Sequence, residues 1–155
     1  MPIVKEYYDS GALKAKGIKK DEQKEGKWTF YFEDGKTYRE VNFRNNVEDG
    51  EWKMWHANGL LYLEQMKVLG KSEGYWKEYY ENGSIKEIGE YRNGEYFPID
   101  FWNEEGSQLL KNGSGKKIEK FGYWGLDIFE HYFENGIFIR EVKVSSTGFG
   151  GLTVI

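Results

Sequence analysis

Cysteine is absent from this 155-residue chain. That excludes disulfides and thiolate metal sites, so packing and backbone pairing must hold the fold together. Histidine and proline each occur only twice. Two imidazoles without a thiol are a poor ligand set for a transition metal, so no metal or other cofactor is expected. No run approaches the roughly 18 apolar residues of a membrane helix, and the N-terminus lacks the apolar stretch of a signal peptide. The expectation is a cytoplasmic protein without membrane insertion. Basic charge is also in short supply. With 22 Lys and Arg against 26 Asp and Glu, the net charge is −4. That argues against general binding to nucleic acid or anionic lipid, both of which need a basic surface.

Glycine and aromatic residues are abundant, with 20 Gly, 6 Trp, 12 Tyr and 10 Phe. They are also periodic. Gly11, Gly35, Gly59 and Gly83 are each 24 residues apart, Gly106 follows after 23 and Gly136 after 30. Gly26, Gly50 and Gly74 sit nine before three of these glycines, and Trp28, Trp52 and Trp76 seven before. Tyr31, Trp55, Tyr79, Trp102 and Tyr132 lie four before five successive ones. Aligned glycines and aromatics at such a period mark a repeat array. An array is mostly surface, which favours binding over catalysis.

Each period reads as a β-hairpin. First strands run through Gly26–Phe32, Gly50–His56 and Gly74–Tyr80. Second strands run through Lys36–Arg44, Leu60–Val68, Ser84–Tyr91 and Ile137–Val144. Asp34-Gly35, Asn58-Gly59, Asn82-Gly83 and Asn135-Gly136 supply turns, since Asn-Gly and Asp-Gly tolerate the positive φ of a tight reversal. Arg44-Asn45-Asn46 and Arg92-Asn93-Gly94 mark the turns back. The expected fold is all-β: an elongated single antiparallel sheet of stacked hairpins of about 24 residues. One domain is expected over residues 1–155. Its hairpin repeats cover about 7–106, an inserted loop or hairpin about 107–125, and a last hairpin and cap about 126–155. Pro98 cannot donate to a ladder, which predicts a bulged or edge strand there. The Trp28 and Tyr31 columns lie three residues apart along a strand, which places them on opposite faces. The sequence leaves open which face is covered.

The pattern Gly-x-Trp-x-x-Tyr-x-x-x-Gly, with Leu or Ile two residues on, resembles the variant MORN repeat. Its best matches are Gly50, Trp52, Trp55, Gly59 and Leu61, and Gly74, Trp76, Tyr79, Gly83 and Ile85. The chain looks like the YwqK-type antitoxin family built from such repeats, over roughly residues 7–144. The resemblance implies stacked hairpins and, more weakly, a bacterial immunity protein that binds and neutralises a cognate toxin. It supplies no functional residues to carry over.

No residue is expected to be catalytic. His56 shares its repeat position with Phe32, Tyr80 and Phe133, as a packed side chain would. His131 is adjacent to Tyr132 and Glu130, which a strand points to the opposite face. Glu78 and Glu87 suggest an acid/base pair, but cross-strand pairing with Lys77 or Lys86, or simple solvation, is the favoured reading. Asn112–Lys117 lacks the spacing of a phosphate loop. From Glu73 to Glu105 nine acids face three bases, a local −6, whereas Lys111, Lys116, Lys117 and Lys120 face only Glu119, a local +3. Aromatic side chains are common anchors in protein interfaces. The candidate partner-binding set is therefore Tyr31, Trp55, Tyr79 and Trp102 with Glu78, Glu81 and Glu87. The expected partner is a toxin bound 1:1 by steric occlusion, with electrostatic steering if it is basic. A non-enzymatic scaffold organising a protein or membrane-associated assembly is the alternative, and a carbohydrate-binding module a third.

Overall fold

The computed structural model describes residues 2–121, 127–146 and 152–154. The strands in chain order are β1 (Ile3–Tyr7), β2 (Leu13–Lys20), β3 (Gln23–Tyr31), β4 (Thr37–Arg44), β5 (Val47–Trp55), β6 (Leu61–Val68), β7 (Lys71–Tyr79) and β8 (Ile85–Arg92). They continue as β9 (Glu95–Trp102), β10 (Gln108–Lys111), β11 (Ser114–Phe121), β12 (Asp127–Glu134), β13 (Ile137–Ser146) and β14 (Leu152–Val154). The described residues contain no helix. The fourteen strands form one open antiparallel sheet of hairpins whose order is the order of the chain.

Two kinds of turn alternate. At Asp21-Glu22, Asn45-Asn46, Leu69-Gly70, Asn93-Gly94, Asn112-Gly113 and Asn135-Gly136 both central residues have positive φ. That is the signature of a type I′ hairpin turn, whose twist matches the flanking strands. At Asp34-Gly35, Asn58-Gly59 and Asn82-Gly83, at the opposite ends of the strands, only the glycine has positive φ. There Asp34, Asn58 and Asn82 use their side chains instead, each accepting the N–H two residues on at 3.0, 2.9 and 2.9 Å. These Asx turns explain why Asp or Asn precedes each of these glycines. Asn135-Gly136, which sequence spacing groups with Asp34-Gly35, belongs by its backbone to the type I′ set.

By backbone proximity the chain falls into two compact units, Met1–Ile85 with Glu90–Tyr96, and Lys86–Gly89 with Phe97–Ile155. In the first unit, successive ladders place Trp28 opposite Val41, Val41 opposite Trp52, Trp52 opposite Gln65, and Gln65 opposite Trp76. Trp28, Val41, Trp52 and Gln65 in this row are buried. The Trp28 indole lies flat on the backbone at Gly17 and donates Nε1–H to the Ile18 carbonyl at 2.9 Å. The face left open by the sequence is thus assigned: the Trp28 column is the covered one.

In the second unit, Pro98, Phe101, Leu110 and Gly113 are buried. Pro98 lies within β9, which is not an edge strand in the sheet order. The short β10 pairs with β9 only at Gln108↔Trp102 and Leu110↔Phe101, with a break of register between. That ladder therefore stops short of Pro98, where a donor would be missing. The segment expected as a loop or hairpin holds β10, the Asn112-Gly113 turn and β11; its residues 122–125, and residue 126 of the expected last hairpin, lie outside the described ones. Within the expected cap, β14 pairs with Val144–Ser146, and residues 147–151 and 155 also lie outside.

Candidate functional site

The candidate site in the first unit is the face opposite the Trp28 row. One residue along from that row, a second row crosses the sheet: Lys16, Thr29, Glu40, Lys53, Glu64 and Lys77, each directly opposite the next. From Glu40 onward the charges alternate in sign, so every cross-strand neighbour is an attraction. Lys53 and Lys77 approach the Glu64 carboxylate at 3.9 and 3.7 Å. Two residues further along the strands, on the same face, stand Tyr31, Trp55 and Tyr79, all half-buried. The Lys16 ammonium lies 5.5 Å from the Tyr31 ring. Tyr79 donates its hydroxyl to Glu64 Oε1 at 2.7 Å. The result is an aromatic row bordered by a charge ladder that is internally neutralised.

Burial, and then the hydrogen bond to Glu64, push the Tyr79 hydroxyl up to about 12. The folded chain therefore keeps a proton that the unfolded chain releases near pH 10, so this contribution to stability is lost as pH rises from 10 to about 12. An alkaline titration followed by tyrosinate absorbance should lose a late component in Tyr79→Phe. In Glu64→Gln that component should move earlier without returning to the ordinary value, because burial remains. An unchanged late component in Tyr79→Phe would refute the assignment.

Neighbouring hairpins are also tied at their ends. Tyr8 donates its hydroxyl to the Tyr31 carbonyl at 2.7 Å, and His56 Nε2 lies 3.1 Å from the Tyr79 carbonyl. Tyr8 and His56 hold the same repeat position, and in both the polar tip reaches the next repeat. His56 also packs on Tyr62, ring centroids 4.9 Å apart.

Of the acidic members of the expected set, only Glu78 lies on a strand of the first unit, and it faces away from this row. Leu63 pairs with Glu78, which lies two residues along from Trp76 and so on the covered-Trp face. Glu81 is an exposed turn residue whose carbonyl accepts Asn58 Nδ2–H at 2.7 Å. Glu87, in the second unit, is only 3% exposed and sits 2.5 Å from the Lys117 ammonium. Lys117 lies thirty residues further along the chain, so this partner was not suggested by proximity in sequence. Lys117 also stands 3.6 Å from Glu119. Trp102, likewise in the second unit, is half-buried opposite Gln108.

The basic run downstream is largely consumed by acids. Lys116 pairs with Glu130 at 2.6 Å and Lys120 with Glu104 at 3.0 Å. Glu87 and Glu104 come from the acidic stretch, so part of the local −6 and much of the local +3 cancel inside the second unit. Glu130 also accepts the Tyr132 hydroxyl at 2.6 Å, and its two hydrogen bonds, that to Lys116 foremost, hold its carboxyl below the usual range. His131 Nε2 lies 2.8 Å from Glu141 Oε2 without hydrogen-bonding geometry, and Nδ1 3.7 Å from Glu119. Among the described residues no group of three His, Asp or Glu side chains is arranged to hold a metal ion.

Glu64 is the central residue that reading the sequence missed. The signal was present, because Glu40 and Glu64 are one 24-residue period apart, as are Thr29, Lys53 and Lys77.

The model of the MORN repeat variant matches this chain twice, at residues 24–45 and 72–93. Each match covers most of one strand, an Asx turn and the following strand: β3 with β4, and β7 with β8. Their starts differ by 48 residues, two periods of 24. No curated protein matches the chain. Two segments of the chain are thus similar to the variant MORN repeat, within an all-β sheet of hairpins.

Proposed function

We propose that this chain is a non-catalytic protein-binding module that docks a partner on the Tyr31–Trp55–Tyr79 face of its first unit. The observation that carries the reading is the contrast between faces. One buries Trp28 and Trp52; the other keeps three large aromatic side chains half-exposed beside a charge ladder already satisfied within the chain. Such a surface can shed water over rigid aromatic area without stranding an unpaired charge, which is what an interface centre requires. The resemblance to YwqK-type antitoxins supports the more specific reading, a bacterial immunity protein that occludes a cognate toxin. Because Glu87 and Glu104 are neutralised by lysines, the reading rests on the aromatic row rather than on an acidic patch.

The test is a binding measurement with the toxin encoded beside this chain. Trp55→Ala should weaken a 1:1 complex by about 2 kcal/mol, the usual scale of an aromatic anchor. Only a variant with unaltered thermal unfolding is informative. Unchanged affinity in Trp55→Ala and Tyr79→Phe would reject this face. Self-association or assembly with envelope components, without a toxin, would favour a scaffold.

A further inference from the structure

The repeat register exposes one place where the second repeat departs from its neighbours. Leu69 opens a type I′ turn at φ +50°. The other five turns of that kind open with Asp21, Asn45, Asn93, Asn112 and Asn135, whose short polar side chains suit the left-handed conformation. A leucine there is strained by comparison, and it is also 72% exposed. Beside it stand Val68 and Val47, 47% and 42% exposed. The positions equivalent to Val68 hold Lys20, Arg44 and Arg92, and those equivalent to Val47 hold Gln23, Lys71 and Glu95. Three positions that are polar in every neighbouring repeat are apolar in this one.

They form a single patch. The Gly70 N–H donates to the Glu48 carbonyl at 2.8 Å, which lays the Leu69-Gly70 turn against the start of β5. Val47 Cγ1 comes within 3.7 Å of where a Cβ on Gly70 would stand. The border of the patch is cationic. Arg44 is directly opposite Val47, and Lys71 directly opposite Val68. Arg44 gives its Nε–H side to Asp49 at 3.1 Å, yet its side chain remains 70% exposed. Lys71 is exposed and makes no ion pair among the described residues.

Backbone strain and exposed apolar area are both unfavourable in the isolated chain, and the neighbouring repeats show that the fold does not require either. We infer that Val47, Val68 and Leu69 form a second docking surface, distinct from the Tyr31–Trp55–Tyr79 face, for a protein segment that presents leucine-like side chains flanked by carboxylates. The apolar trio receives the aliphatic groups. Arg44 and Lys71, at its edge, select acidic neighbours over basic ones.

The test is methyl NMR of the full chain titrated with a synthetic peptide alternating leucine and aspartate, against the same peptide with lysine for aspartate. Saturable shifts at the Val47, Val68 and Leu69 methyls with the acidic peptide alone, weakened by salt, are the expected result. The Val68→Arg/Leu69→Asn variant restores residues that this fold accepts at equivalent positions. It should unfold no earlier than the parent chain and lose at least tenfold in affinity, while the Tyr31–Trp55–Tyr79 resonances stay in place. No saturable shift, or equal shifts with the basic peptide, would overturn the inference. So would shifts at these methyls that follow protein concentration without peptide, since the occupant would then be a second copy.

Discussion

Gly17→Ala should destabilise the first unit by about 3 kcal/mol, at the upper end of what overpacking a core usually costs. Gly17 has no positive φ, so its backbone would accept alanine. The obstacle is the indole above it. A Cβ at Gly17 would fall 2.3 Å from Trp28 Cδ2 and 2.4 Å from Cε2 and Cγ. The ring is the largest fully buried side chain among the described residues, and its N–H is committed to the Ile18 carbonyl. It cannot lift without losing both burial and that hydrogen bond. Gly35→Ala supplies the contrast: φ is +87° with nothing within 4 Å of the new Cβ. Its cost is conformational only, about 1–2 kcal/mol. In a Trp28→Leu background the Gly17→Ala penalty should shrink, because the clashing ring is gone. Thermal unfolding read by tryptophan fluorescence measures all four. A Gly17→Ala cost below that of Gly35→Ala would refute the stacking argument.

Lys117→Met is expected to cost the second unit about 3–5 kcal/mol at neutral pH, the usual penalty for removing one partner of a buried ion pair. The mutation strips from the Glu87 carboxylate, 3% exposed, the ammonium 2.5 Å away. Glu87→Gln should cost less, since Lys117 still has Glu119 at 3.6 Å. Replacing both residues, Glu87→Leu with Lys117→Met, should recover most of the loss. A Lys117→Met deficit under about 1 kcal/mol would mean that water reaches the pair and screens it.

Much of the architecture was legible because its determinants are local. A glycine and an aromatic at fixed offsets reveal a hairpin regardless of what lies far away, and Asp34, Asn58 and Asn82 act on N–H groups two residues on. The irregular turn at Asn135-Gly136 shows where this reading fails. Sequence spacing assigned it to one kind of turn, and the backbone adopted the other once the interval lengthened to 30 residues. The candidate site was only half legible. Tyr31, Trp55 and Tyr79 fall in one row as their period requires, but Glu78 is adjacent to Tyr79 and so faces the other way. The exceptional character of Leu69 becomes visible only when its φ is set beside those of the equivalent turns.

By itself, then, the sequence determined the strand-and-turn grammar, the period, and the opposite orientation of the Trp28 and Tyr31 columns, because strand alternation and turn conformation are decided within a few residues. Tertiary structure alone decided which column is buried and which charges meet. Trp28 is covered because Gly17, on the preceding strand, leaves room for an indole. Glu87 finds Lys117 because a buried carboxylate is paired by whatever cation the sheet brings within reach, and reach is measured through space, not along the chain.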